Sequence, residues 1–488
     1  MSATKSPASF TTALRLWALV VASSWSWATL AATPGVERST PPVPGPVPAF
    51  TMPVPLELTL KNGLKVYFLE RHRAPLIDIV AVVSGGGLAD LPGHEGAAVA
   101  VADLLTQGAG ARDAFAFDDA VKALGADIDA EASWTSISVS LHATSARFAA
   151  ALPLWADALR QPRLTADDWE RKRGEKMGEL AYYKDEPRML VNLATARTLF
   201  GDQRPGTAIM GTPKSLTSMT IDDLRGFHST HFRPDNAFLV VVGDVNKKTL
   251  VAALESALSS WTAPATVLTP RVLPEPAAMT DVGVVVVDRP GAPQTAICVA
   301  STLPTTLGSF DPPSSVMQTL LGGSFTSRLN NNLREEHGYS YGAGYSIMTW
   351  PWHRSLVSTN VATPVTLPAV NEILNELKRI QEPATQAEVE RARSYEALSF
   401  PAILDGGRSL AMAWATWKEQ GITNDVITGY MGQVTKVDVA TVADAAARLV
   451  FPLALRLVFV GDKATLGAGL GKFGALTQLS ADELLPAP

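Results

Sequence analysis

Period-two and helical patterns alternate along this chain, and the series is written twice. Leu58–Glu70 (LTLKNGLKVYFLE) holds two runs of alternating apolar and polar residues about Asn62-Gly63. That dipeptide closes two-residue hairpins, because both turn positions take positive φ. Leu76–Ser84 predicts another strand, introduced by Ala74-Pro75 and broken by Gly85–Gly87. Glu95–Leu105 predicts a helix of small residues, Ala126–Ala143 alternates again, and Thr144–Leu159 reads as a helix. Thr165-x-x-Asp168 has capping-box spacing and opens a long charged helix through Lys184, punctuated by Pro187. Thr220-x-x-Asp223 opens a helix ending at His228. His231–Asn236 then turns into a buried strand, Ala237–Val242, closed by Gly243-Asp244.

The landmarks then return. Arg71 and Ala74-Pro75 recur as Arg289 and Ala292-Pro293, and Gly243-Asp244 recurs as Gly461-Asp462, each 218 residues on. Thr165-x-x-Asp168 recurs as Thr385-x-x-Glu388 after 220 residues, and Thr220-x-x-Asp223 as Thr435-x-x-Asp438 after 215. Landmarks at nearly one offset predict an internal duplication. The fold class is α+β: two homologous domains, 52–265 and 279–471, each a mainly antiparallel sheet covered by helices. A Pro-containing linker, 266–278, joins them, and 472–488 reads as a C-terminal tail.

With 488 residues, 47% of them apolar, the chain is long enough for two such cores. A net charge of −6 with scattered basic residues predicts no nucleic-acid partner. Cys298 is the only cysteine, so no internal disulfide and no cysteine metal site can form. It sits in an apolar strand pattern, as inert core. Residues 1–32 read as a secretory signal: Lys5 and Arg15, an apolar run Leu16–Leu30, then Ala31 and Ala32. Residues 33–51 are Pro-rich and read as a tether. The expected location is the periplasm, with no membrane segment after cleavage.

One stretch carries candidate chemistry. Ser327–Ser346 (SRLNNNLREEHGYSYGAGYS) begins like an amphipathic helix, with Leu329 and Leu333 four apart, and Gly338 stops it. Tyr339, Tyr341 and Tyr345 follow at even spacing, which places them on one face of a strand. Arg334 and Tyr341 thus flank a helix-to-strand corner. A guanidinium and a phenol so placed can hold two carbonyl oxygens of an extended peptide. The competing account is a surface arginine paired with Glu335 or Glu336, beside a half-buried tyrosine.

The order LKNGLKV, LL-x-x-G, ERKR…GEL, FHSTHFRPDNAFLVVVGDV and GGSFTSRL…LREEHGYSY resembles the pitrilysin-type (M16) zinc peptidases. The likeness is to their short two-domain branch, which pairs subunits as the mitochondrial processing peptidase does, and it covers nearly all of Leu58–Asp462. Active members carry H-x-x-E-H on the first helix, two histidines on one helical face with a glutamate base between them, and a further glutamate downstream. Anchored on Leu104-Leu105 and Gly108, the histidine positions here are Val99 and Asp103, and the base position is Ala102. Glu179 falls on the distant ligand position but stands alone. His94-Glu95 lies a turn too early and lacks a second histidine. Arg334 and Tyr341, by contrast, match the family's substrate-holding Arg–Tyr pair. Gly322–Ser324 matches a Gly-rich turn and reads as ordinary loop chemistry.

The resemblance implies a zinc-less subunit of a heterodimeric peptidase acting on extended or unfolded peptides. Its partner would carry H-x-x-E-H and the zinc, and this chain would hold no metal or other cofactor. The alternative is a scaffold or peptide-binding protein that kept the fold and lost the chemistry. An independent serine or cysteine hydrolase is disfavoured, since no G-x-S-x-G elbow is present.

Overall fold

The structure is a computed structural model that describes residues 50–268 and 273–486. The signal read at 1–32 and nearly all of the 33–51 tether lie outside the described residues. So does 269–272 within the linker. The described chain belongs to one compact unit, Ala49–Pro488.

The first hairpin turns at Asn62-Gly63, but through three residues, Lys61, Asn62 and Gly63, closed by Leu60 and Leu64; only Gly63, at φ +87°, takes positive φ. Asn62 also donates to the Trp261 carbonyl at 3.0 Å, tying the turn to the end of the domain. The hairpin strands are β1 (Leu56–Thr59) and β2 (Lys65–Glu70). They join β3 (Leu76–Ser84), β4 (Asp127–Ala132), β5 (Ser136–Thr144) and β6 (Ala237–Gly243) in a six-stranded sheet of order β1-β2-β6-β3-β5-β4. Only β2 and β6 pair in parallel.

The second sheet uses β7 (Val282–Asp288), β8 (Gln294–Thr302), β9 (Ser340–Met348), β10 (Arg354–Ala362), β11 (Leu455–Gly461) and β12 (Ala475–Leu479). Its order is β12-β7-β11-β8-β10-β9. β7 and β11 pair in parallel as β2 and β6 do, and antiparallel neighbours follow in the same order. The two sheets therefore repeat one topology apart from an edge strand each. β1 precedes its sheet in sequence, whereas β12 comes from residues read as a tail and pairs in parallel with β7.

Several boundaries move. The helix expected from Thr144 starts at Phe148, because Thr144 still pairs with Leu76 in the sheet. The long charged helix ends at Asp185, just before Pro187 as expected, and Pro187 also opens the next helix. It occupies the first turn of Pro187–Phe200, where its missing N–H costs nothing. Thr165, Thr220 and Thr385 cap their helices as expected. Thr435 does not: it follows the end of Asn424–Val434, and Asp438 caps Val439–Leu449 with Thr441. The caps Thr220 and Asp438 are then 218 residues apart, the offset of the other strict matches.

The helices that position the site are α1 (Ala97–Leu105), α2 (Ala166–Asp185), α3 (Pro187–Phe200) and α4 (Gly407–Glu419). α1 packs into the first core through Ala98, Val101, Leu104 and Leu105. The other face of that sheet, carrying Val80, Val82, Val240 and Val242, is covered by Leu410 and Trp414 of α4, from the second half of the chain. Reciprocally, Leu190, Val191 and Ala194 of α3 cover Val285, Val287, Val458 and Val460 of the second sheet, beside buried Cys298. The central strands β6 and β11 are buried on both faces, so they read as unbroken valine-rich runs.

Candidate functional site

The Arg334 corner is built from two widened helical turns. The segment expected as an α-helix is α-helical only over Arg328–Asn330 and continues as a π-helix, Asn331–Glu336. Leu329 and Leu333 are fully buried, as their spacing predicts. The wider turn aims Arg334 outward. A second π-helical stretch, Thr319–Gly323, precedes it. Such turns are rare and frequent at functional sites. Gly322 is needed for contact and not merely as a loop residue: a Cβ there would lie 2.4 Å from the Tyr345 nitrogen. Gly338, at φ +64°, ends the helix as predicted.

The three tyrosines do not share one face. Between Thr359 and Val361 the register of β9 and β10 slips, since Thr359 faces Ala343 whereas Val361 faces Ser340. The extra residue on β9 is a bulge, which re-aims a side chain at a strand end. Tyr345 points into the core, and burial pushes its phenol up to about 12. Tyr341 turns out to solvent and is 90% exposed. The half-buried tyrosine of the competing account is therefore not what is found.

Arg334 and Tyr341 are brought together. The guanidinium carbon of Arg334 lies 5.1 Å from the centroid of the Tyr341 ring. It also lies 4.3 Å from that of Phe325, which is 64% exposed. Arg334 Nε is 3.3 Å from a Glu335 carboxylate oxygen, so one of the two acidic neighbours considered from the sequence does pair with it.

Sequence reasoning missed the residue that holds these parts. Asn330, 8% exposed, donates to the Ser324 carbonyl at 3.0 Å and accepts from Ala343 N–H at 2.9 Å. One amide thus ties the Phe325 loop to the Tyr341 strand. Asn332 donates to Glu376 at 3.0 Å and to Glu372 at 3.1 Å, and Arg328 grips Glu388 with two bonds of 2.7 and 3.1 Å. A signal was available. Three consecutive asparagines between Leu329 and Leu333 are poor helix formers, and they earn such a place by side-chain bonding.

The positions that the resemblance assigns to the zinc ligands and the base differ in kind. On α1, Val99 offers only a hydrocarbon side chain packed against the core, and Ala102 is a buried methyl. Asp103 does not face an open cavity. Its carboxylate is 3.1 Å from the Lys176 ammonium of α2, which in turn lies 3.2 Å from Glu179. Tyr183 donates to Glu179 at 3.4 Å. Burial lowers the Lys176 pKa, but the two carboxylates outweigh it and hold the group above its ordinary value. Two carboxylates already joined by an ammonium do not fit zinc, which takes three or four nitrogen, sulfur or oxygen donors. Among the described residues, no group of three potential ligands is assembled.

Comparisons place this geometry. Residues 66–213 match the family described as Insulinase (Peptidase family M16), and residues 218–395 match Peptidase M16 inactive domain. An uncharacterized zinc protease of Mycobacterium leprae is 28% identical over 294 residues, 58% of this chain and 63% of that protein. The chain thus spans under two thirds of the length of the first relatives it matches. The mitochondrial-processing peptidase subunit beta of Lentinula edodes is 25% identical over 72% of this chain and 78% of its own. The crystal structure of a peptidase M16 inactive domain from Pseudomonas fluorescens superposes with a TM-score of 0.77 at 20% identity, covering 84% of this chain and 98% of that one. With consecutive matches across both halves and the fold of its structural neighbours, the chain belongs to the M16 peptidase family.

Proposed function

We propose that this chain is the zinc-less subunit of an exported two-chain M16 metallopeptidase, contributing Arg334, Tyr341 and half of the substrate chamber. One observation carries the reading. The arginine and tyrosine stand side by side on an exposed corner, whereas Val99 and a lysine-paired Asp103 stand at the histidine positions that the resemblance implies, and Ala102 at the base position. A chain with substrate-holding groups and neither histidine would draw its metal site from a partner, an H-x-x-E-H subunit with its zinc. The leader-like residues 1–32 support export to the periplasm, where the two chains would meet.

In this reading Arg334 donates to a backbone carbonyl and fixes the peptide's register. Tyr341 donates to the carbonyl oxygen that becomes negative during attack. Its exposure suits a donor aimed at a ligand and not at the protein's own interior. The substrate is an extended or unfolded peptide, which offers its backbone carbonyls as a folded protein does not.

The test is steady-state cleavage of an unstructured peptide by the reconstituted pair of chains, with assembly checked by size-exclusion chromatography. Neither chain alone should cleave at the rate of the mixture. Tyr341→Phe should leave the pair assembled and lower turnover on the order of 10²-fold. Arg334→Ala should weaken substrate binding as well as turnover. A partner as active alone as in the mixture would reduce this chain to a scaffold.

A further inference from the structure

We propose that Phe325 is a third member of the Arg334–Tyr341 grip: it holds the guanidinium edge-on to the peptide and offers a shelf for an apolar side chain beside the clamped carbonyl. The proposal rests on the peptide-binding reading above. The guanidinium carbon of Arg334 lies within cation–π distance of two rings, 4.3 Å from the Phe325 centroid and 5.1 Å from that of Tyr341. All the N–H groups of a planar guanidinium point along its own plane, so ring contacts that limit how the plane turns also limit where it can donate. Glu335 pairs with Nε, so the donors proposed for the peptide are the two terminal nitrogens, a fork suited to a carbonyl oxygen. Without Phe325 the nearer of the two ring contacts would be lost and the long side chain would be freer to swing.

The ring itself is out of place for a soluble surface. Phe325 sits between Ser324 and Thr326 and keeps 64% of its area exposed. Its loop is nevertheless fixed, since Asn330 holds the Ser324 carbonyl and also bonds the Ser327 hydroxyl at 3.2 Å. An apolar ring held in water beside a carbonyl-directed cation fits a ligand that is polar along its backbone and apolar at its side chain. The occupant is therefore an extended peptide with an apolar residue next to the carbonyl that Arg334 takes. A charged or small side chain there would leave the ring uncovered.

Two measurements on the full chain test this. The first needs no peptide and no partner: the rate at which phenylglyoxal modifies Arg334, read by peptide mass mapping. Phe325→Ala should raise it about three- to fivefold, the scale of one lost cation–π contact. Phe325→Trp should keep it at or below the wild-type rate. Unchanged labelling in Phe325→Ala, with other arginines and Tm also unchanged, sinks the stack. The second measures protection of Arg334 by two synthetic nonapeptides that differ only in a central Phe or Ala. The Phe peptide should protect at several-fold lower concentration, and the difference should vanish in Phe325→Ala. Equal protection in the wild type overturns the shelf. Protection by neither peptide overturns the peptide reading of the corner, an outcome the labelling rates distinguish from failure of the stack.

Discussion

At the scale of single residues, Lys176 supplies positive charge between α1 and α2, beside Asp103 at one of the positions that the resemblance assigns to a zinc ligand. Its side chain is 17% exposed and touches Asp103 and Glu179 at 3.1 and 3.2 Å. Lys176→Met keeps the stem and removes the ammonium, leaving two carboxylates to repel one another. A half-buried pair of this kind is worth about 1–2 kcal/mol. Urea unfolding should show a loss of that size in Lys176→Met, recovered in part by adding Asp103→Asn. A variant as stable as wild type would show that the lysine is only a solvated neighbour. The dialysed wild-type chain should carry no stoichiometric zinc, and close to one tightly held zinc per chain would contradict the donor argument. Arg334 and Tyr341 were legible in the sequence because a motif of fixed spacing carries them. Lys176 was not, since ERKRGEK offers four basic residues within one helix and only tertiary packing selects which one reaches α1. Phe325 was silent for the same reason, and the run of asparagines that marks Asn330 does not say which of the three ties the loop to the strand.

At the scale of elements, the strands were the most readable part, and the hairpin at Asn62-Gly63 and the span of β3 follow directly from alternation and turn chemistry. The π-helical turns and the β9 bulge were not readable. Each inserts one residue into a regular period, and a period-counting argument assumes none is inserted. The helix Ile221–His231 runs three residues past its expected end at His228, which places that histidine inside the last turn. His228 stacks on Phe232, with ring centroids 4.3 Å apart, and donates Nε2–H to the Leu159 carbonyl at 3.1 Å. Burial lowers its pKa to about 4. An unfolded histidine titrates near 6.5. Between those values the unfolded chain binds a proton that the folded chain refuses. This contribution is therefore fully present above about pH 6.5 and is lost as pH falls toward 4. The linkage amounts to about 2 kcal/mol between pH 7 and pH 5. His228→Gln keeps a donor but cannot titrate, so its stability should fall less over the same interval. Parallel pH profiles for variant and wild type would exclude His228 as the cause.

At the scale of the whole molecule, the duplication explains the two sheets but not how they are covered. If each repeat were self-contained, its own helices would cover both faces. Instead α4 from the second half seals one face of the first sheet, and α3 from the first half seals one face of the second. Ion pairs follow the same exchange, with Arg408 bonding Asp127 at 2.8 Å and Asp129 at 2.7 Å. Leu410 and Trp414 are fully buried by this arrangement, each worth about 2–3 kcal/mol of hydrophobic stabilisation. Losing both, with the valines they cover, would consume most of the 5–15 kcal/mol that stabilises an ordinary domain. The halves are therefore mutually dependent although their topology repeats. Residues 50–268 expressed alone should expose Val80, Val82, Val240 and Val242, bind an apolar dye such as ANS, and aggregate. Co-expressed with residues 269–488, the same fragment should co-purify as a soluble pair that unfolds in one cooperative transition. Trp414→Ala in the second fragment should weaken that pairing more than Trp417→Ala, because Trp414 lies in the buried seam and Trp417 only borders it. A first half that is monomeric and cooperatively folded by itself would show that the helix exchange follows from the joining of two finished domains and is not what completes them.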